Sequence, residues 1–228
     1  MRPTTQSVLG VFGGTFDPIH CGHLELAREL RQSLALSAVR FVPAGDPPHR
    51  PAPAVSAAHR LAMVELAVAR HPGLEVDARE VARTGRSYTV TTLEALRDED
   101  PGRNLALIVG ADAFLGLPTW HRWREIFGLA HLVVVARPGV SLADRLSPEL
   151  ARERSRRRCD DPSVIFSQSA GAIVEPSITA HQISASAIRA SLGRREADGI
   201  GAVRALLPAA VLAYIERNRL YLPLQDAT

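Results

Sequence analysis

Short apolar runs of strand length alternate with segments of helical period along most of this chain, and that alternation leaves few folds open to it. The runs are Val8–Phe12, Val39–Val42, Leu74–Val76, Leu105–Val109, Leu132–Val135 and Val164–Phe166. Most are apolar on both faces, as strands covered from two sides must be. Between them, His23–Leu34 sets Ala27, Leu30 and Leu34 against Glu25, Arg28, Glu29 and Gln32, a 3.6-residue period. Ser56 stands where it can cap a second helix striped by Leu61, Val64 and Val68. Further helices are expected at Val90–Arg97, Trp123–Phe127, Ala185–Leu192 and Ala209–Arg219. The pattern predicts an α/β fold, a doubly wound parallel sheet of Rossmann-like type with helices on both faces. With 228 residues and 46% apolar content, one domain spanning residues 1–228 is expected.

Ligands of such a sheet bind beyond the carboxyl ends of the strands, where strand order reverses. The loops at those ends are Gly13–Gly22, Pro43–Pro53, Gly110–His121 and Arg137–Gly139. Five prolines restrict the second of them.

Composition removes several classes of function. All 27 basic residues are Arg, and there is no Lys. That excludes a Walker A loop and a Schiff-base lysine, so phosphate has to be held by Arg, His, hydroxyls or backbone amides. Two cysteines, Cys21 and Cys159, are too few for a disulfide framework or a thiolate zinc site. The apolar runs fall far short of the roughly 20 residues that cross a bilayer. Met1–Ser7 lack the regions of a signal peptide, so a cytoplasmic protein without membrane attachment is expected. Arg152–Arg158 holds five arginines but no interleaved aromatic on which bases could stack. It reads as a solvated helix end followed by a loop, and no nucleic-acid partner is expected.

The densest chemistry lies where the first strand runs into GGTFDPIHCGHL, Gly13–Leu24. Gly13 and Gly14 permit close approach of the backbone to a ligand, and Pro18 limits the turn before the helix. The helix N-terminus offers unpaired amides and partial positive charge, a seat for phosphate. His20 and His23, three residues apart, can both donate hydrogen bonds where negative charge builds during transfer. A zinc site would need further ligands, and His49, His59, His71, His121, His131 and His181 offer no second paired spacing. No protein metal ligand is expected.

The string resembles the HxGH signature of the nucleotidyltransferase superfamily and, in its longer GGTFDPxHxGH form, the bacterial nicotinate-nucleotide adenylyltransferases. ISASAIR, Ile183–Arg189, is similar to that family's ISxTxIR motif, with Ser186 standing where Thr is usual. FVPAGDPPHR (Phe41–Arg50), SYTVTTLEAL (Ser87–Leu96) and GADAFLGLPTWHRWREI (Gly110–Ile126) resemble the family in order, as does the ending LLPAAVLAYIERNRLY. Ser141–Ile173 matches no motif.

The resemblance implies transfer of an adenylyl group from ATP to the phosphate of nicotinate mononucleotide, with release of pyrophosphate and no covalent intermediate. His20, His23 and Arg189 would be catalytic. Gly13, Gly14, Thr15, Phe16, Gly110, Asp112, Ser184 and Ser186 would bind ATP, with Asp112 on the ribose side. Trp120 would stack on the pyridine ring, backbone amides at Thr89 and His121 would take the nicotinate carboxylate, and Tyr88, His49 and Arg50 would complete the acceptor site. Mg²⁺ would arrive with the ATP phosphates. Oligomeric state stays open, a homodimer among the alternatives. Other readings are a relative acting on nicotinamide mononucleotide or pantetheine phosphate, a silent nucleotide-binding sensor, and an Arg-rich RNA-binding module. Intact His20, His23 and Arg189 oppose silence, and the lack of stacking aromatics opposes RNA.

Overall fold

The computed structural model describes residues 7–46, 52–136, 142–179, 183–193, 201 and 203–221. At its centre are six strands: β1 (Val8–Gly14), β2 (Ala38–Pro43), β3 (Leu74–Val76), β4 (Asn104–Gly110), β5 (His131–Val135) and β6 (Ile173–Val174). They lie in the order β3-β2-β1-β4-β5-β6, every pairing parallel. The order reverses between β1 and β4. Their pairing stops at Val11↔Leu107, although β1 goes on pairing with β2 as far as Gly14 and β4 with β5 as far as Gly110. The two central strands therefore part over their last residues, and a crevice with backbone walls opens at the switch point of the sheet.

The helices are α1 (Cys21–Ser33), α2 (Ala57–Val68), α3 (Arg79–Ala82), α4 (Thr89–Glu99), α5 (Ala111–Leu115), α6 (Ile126–Leu129), α7 (Pro148–Arg157), α8 (Val164–Ser167), α9 (Ala185–Leu192) and α10 (Ala209–Arg217). Successive strand side chains point to opposite faces, so each central strand feeds two cores. Val8 and Phe12 of β1 and Ala106 and Ile108 of β4 join the first, with α1, α2, α9 and α10. Leu9, Val11, Leu105, Leu107 and Val109 join the second, with α4, α5, α6 and α7. Burying one large apolar side chain contributes about 1.5–3 kcal/mol. Ile188 of α9 and Val211 and Ile215 of α10 are fully part of the first core. That packing carries ISASAIR from late in the chain to the turn after β1.

Three expectations need correction. Ser56 does cap α2, accepting from the His59 N–H at 3.4 Å, but the buried stripe is Arg60, Met63, Val64, Ala67 and Val68, with Leu61 half-buried. The helix expected at Trp123–Phe127 is a 3-10 turn, Trp123–Glu125, leading into α6. Val164–Phe166 is not a strand but most of α8. Asp161 accepts from the N–H and hydroxyl of Ser163 at 2.9 and 2.7 Å, a local turn that sets the helix going. Asn104 then donates to the carbonyls of Ile165 and Gln168, both at 2.8 Å, and the sixth strand position falls to Ile173–Val174. The arginine-rich run forms the last turns of α7 and is largely tied to the protein's own carboxylates. Arg154 makes two bonds to Glu175, Arg157 pairs with Glu153, and Arg158 pairs with Asp160 and Glu175. Among the described residues, no helix is long and apolar enough to cross a membrane. The loop expected at Arg137–Gly139 lies outside the described residues.

Candidate active site

The turn after β1 is shaped by two different glycines. A Cβ at Gly13 would have no described atom within 4 Å, and the same holds for Gly110 across the crevice. Gly14 answers to the protein's own packing, because a Cβ there would stand 2.9 Å from the Phe16 ring. Phe16 adopts φ 49°, a left-handed conformation that bulky residues rarely take. Its ring thereby folds back into an aromatic cluster with Phe12, Phe41 and His23. Phe16 is thus core, and only its backbone is left to meet a nucleotide. The Thr15 hydroxyl is buried with no hydrogen-bond partner among the described residues.

His20 is the residue before α1 and His23 the third within it. Their rings stack at 3.7 Å between centroids, tilted 21°. The His20 N–H donates to His23 Nδ1 at 3.3 Å, which puts the proton of a neutral His23 ring on Nε2 and makes that atom a donor. His20 Nδ1 is buried with no hydrogen-bond partner among the described residues, the kind of uncompensated atom that a ligand or water satisfies. Burial lowers the His20 pKa to about 4, and burial followed by the neighbouring His20 lowers that of His23. Both rings are neutral near pH 7 until an anion arrives to favour the charged form. Gly22 between them is needed for closeness: a Cβ would stand 3.3 Å from His20 Nδ1 and 3.4 Å from Ile183 Cβ.

Arg189 of α9 reaches this turn. Its Nη1 donates to the Asp17 carbonyl at 2.6 Å and its Nη2 to Ser186 Oγ at 3.5 Å. Ser184 holds the position before α9, but its side chain makes no capping bond, so the hydroxyl is not committed to the helix. The turn is braced by residues that sequence reasoning missed. Buried Asp17 accepts from the Ala54 N–H and the Tyr221 hydroxyl, each at 2.7 Å. Arg60, 1% exposed, donates to the carbonyls of Thr15 (2.7 Å) and Gly45 (3.0 Å), joining the β1 and β2 loops. Gly45 in turn presses so closely on α3 that a Cβ would lie 2.2 Å from the Glu80 carbonyl oxygen. Its N–H donates to Ser87 Oγ at 3.0 Å, and buried Glu80 accepts from Thr92 Oγ1 at 2.6 Å.

On the other side of the crevice, Tyr88 precedes α4 and Thr89 opens it, so the Thr89 N–H is one of the first-turn amides without an acceptor inside the helix. The His121 ring lies 4.4 Å from that of Tyr88, which brings the two expected acceptor segments together. Trp120 is half-buried against the second core. Arg122, at φ 52°, pairs with Glu94 of α4 at 2.8 Å and with Glu125, fastening this loop to α4. Asp112 stands exposed in the first turn of α5, 3.8 Å from Arg145. His49 and Arg50 lie outside the described residues.

The cytidylyltransferase-like family model matches residues 11–191. A protein of Acidithiobacillus ferrooxidans named probable nicotinate-nucleotide adenylyltransferase is 46% identical over 97% of this chain and 99% of its own length. One of the same name from Dechloromonas aromatica is 50% identical over 93% of this chain and 97% of its own. Among solved structures, Plasmodium falciparum nicotinic acid mononucleotide adenylyltransferase complexed with NaAD superposes with a TM-score of 0.71 at 13% identity, covering 94% of this chain and 97% of that one, a likeness of fold. The chain that folds this turn, with its two stacked histidines at the switch point and Arg189 bonded to it, belongs to the cytidylyltransferase-like nucleotidyltransferases, within them to the nicotinate-nucleotide adenylyltransferase family.

Proposed function

We propose that this protein transfers the adenylyl group of ATP to nicotinate mononucleotide, giving nicotinate adenine dinucleotide and pyrophosphate. The observation that carries this reading is the stacked His20–His23 pair, with a donor at His23 Nε2 and a His20 Nδ1 that has no partner among the described residues, in a turn that Arg189 grips at the Asp17 carbonyl beside an open backbone crevice.

In this mechanism, a phosphate oxygen of the acceptor attacks the α-phosphorus of ATP in line. The bond to the bridging oxygen breaks, and its electron pair leaves with pyrophosphate. His23 Nε2 and the His20 ring donate to phosphate oxygens as charge builds on them. Arg189 keeps one Nη1 bond on Asp17 and offers the rest of its fork to the departing phosphates, with Ser184 and Ser186 beside it. The backbone at Gly13, Gly14, Thr15, Phe16 and Gly110 lines the nucleotide, and Asp112 takes ribose hydroxyls. Trp120 covers the pyridine ring, with Tyr88 at its side, while the amides of Thr89 and His121 satisfy the carboxylate. His49 and Arg50 take the acceptor phosphate. Nucleotidyltransferases of this type generally use Mg²⁺ with ATP. Among the described residues no group of three His, Cys, Asp or Glu side chains could hold a metal ion. On this reading the ion would arrive with the ATP phosphates and keep much of its water, and it would offset their charge.

The test supplies MgATP with nicotinate mononucleotide, nicotinamide mononucleotide or pantetheine phosphate and follows pyrophosphate. Backbone donors suit a carboxylate, whereas the amide turns an NH₂ toward them and leaves groups unpaired, a difference of about 1–3 kcal/mol. The acid should be used with the highest kcat/KM. Equal or reversed preference between acid and amide refutes the assignment.

A further inference from the structure

Asp17 sits in the middle of the catalytic turn, and each of its carboxylate oxygens is taken by one donor: Oδ1 by the Tyr221 hydroxyl and Oδ2 by the Ala54 N–H, both at 2.7 Å. Arg189 stops short of that carboxylate. Its Nη1 stands 3.9 Å from Oδ2 and spends its close bond, 2.6 Å, on the Asp17 backbone carbonyl. Tyr221 comes from beyond α10, at the opposite end of the described chain from the turn it reaches. Burial, together with the bond to Asp17, raises the pKa of its phenol, so it remains a donor throughout the working range.

We propose that Tyr221 is a positioning residue for the ATP site: by occupying Asp17 Oδ1, its hydroxyl keeps the carboxylate from closing on Arg189, so that the guanidinium stays free for the phosphates. The argument is one of competition. A buried carboxylate oxygen without a donor is costly and takes the nearest one available. Arg60 has both of its Nη atoms on the carbonyls of Thr15 and Gly45, and although its Nε has no partner among the described residues, it makes no ion pair with Asp17. Among the described residues Arg189 is the cation within ion-pair range of this carboxylate, its Nη1 3.9 Å from Oδ2, and a carboxylate released at Oδ1 is free to turn and close that gap to about 2.7–2.9 Å, the length of a charge-assisted pair. A guanidinium drawn into such a pair loses donors that ATP and pyrophosphate would otherwise receive.

This inference rests on the donor-site reading above, and the measurement is chosen to separate the two. Tyr221→Phe removes one oxygen. Binding of MgATP, read by calorimetry without any acceptor, should weaken about tenfold. The acceptor KM should change less than about twofold, because the Ala54 bond to Oδ2, which ties Asp17 to the end of the β2 loop, is left in place. In an Asp17→Asn background the carboxylate charge is gone while Asn can still accept from Ala54, and Tyr221→Phe should then cost less than about twofold in MgATP affinity. Unchanged MgATP affinity, an equal loss in both backgrounds, or a parallel rise in acceptor KM overturns the proposal. If Tyr221→Phe does not fold, Asp17→Asn alone decides: MgATP affinity at or above the wild-type level supports the competition, and a loss of about tenfold overturns it. Failure of the nicotinate assignment would show differently, as no pyrophosphate from wild-type protein with that acceptor while MgATP still binds.

Discussion

The turn that carries His20 and His23 is buried and braced from several segments, whereas the described residues assigned to the acceptor, Tyr88, Thr89, Trp120 and His121, form a rim. On the first side, His20 is 5% exposed, Asp17 and Arg60 cross-link the β1 and β2 loops, and Arg189 is bonded to the turn itself. On the second, Trp120 is half-buried, His121 is exposed, and the loop is fastened to α4 by a ring contact and the ion pairs of Arg122. Under the proposed assignment, the contrast follows from what each side has to do. Stabilising charge in a transition state depends on donors held in place before the reaction, and packing supplies that. Recognising a flat ring and a carboxylate needs an aromatic face and a few amides, which can stay wet until the ligand covers them.

The largest effect that can break this comparison is on the braced side. His20→Asn or His23→Asn should lower kcat about 100-fold to 1000-fold, with MgATP binding nearly unchanged and the fold intact. A folded His20 variant with near-normal turnover, or one slow only because it binds ATP poorly, would end the assignment.

Next comes stability against pH. The His20 pKa in the folded protein, about 4, lies below that of a free histidine. Below about pH 6.5 the unfolded chain takes up a proton that the folded turn refuses, so stability falls as pH drops toward 4 and levels off beyond it, by roughly 3 kcal/mol for this one group. Denaturant melts between pH 7 and 4 should show His20→Asn losing less than wild type. Identical slopes would mean that the ring is not desolvated.

On the rim, Trp120→Ala should reduce kcat/KM for the acceptor by about 1–3 kcal/mol and leave MgATP binding alone. Equal losses for both substrates would make Trp120 a structural residue. The smallest effect is expected at Arg122→Asn, which tolerates the left-handed backbone but removes both ion pairs. A rise in acceptor KM of less than about threefold is expected, since exposed pairs hold a loop only weakly. A change as large as that for Trp120 would show that the rim, too, needs rigid bracing.

How far these features are legible in the sequence depends on the distance their causes span. Five of the six strands and the HxGH turn are local patterns and can be read directly. Val164–Phe166 cannot, because three apolar residues suit a strand or a helix equally, and the decision falls to Asp161 and to Asn104, some sixty residues upstream in the chain. Arg60 leaves a trace: an arginine at the position where Val64 and Ala67 continue the buried face of α2 needs polar partners inside. The Tyr221–Asp17 bond leaves none, because it exists only once two segments 204 residues apart have packed together. Gly14 shows the opposite limit. Its motif position suggests ligand approach, but the constraint is the Phe16 ring.

Gly13 and Gly110 stand where β1 and β4 have ceased to pair, and the space a side chain would take there belongs to no described atom. Under the proposed assignment, a methyl group at either position would displace nucleotide rather than protein. Alanine at a glycine whose backbone tolerates it stabilises by about 0.4–1 kcal/mol, by narrowing the unfolded ensemble. Heat resistance and activity should therefore move in opposite directions at these two sites. Gly13→Ala is expected to raise Tm slightly while weakening MgATP binding, so a screen that selected variants by melting temperature alone would enrich changes that close the crevice.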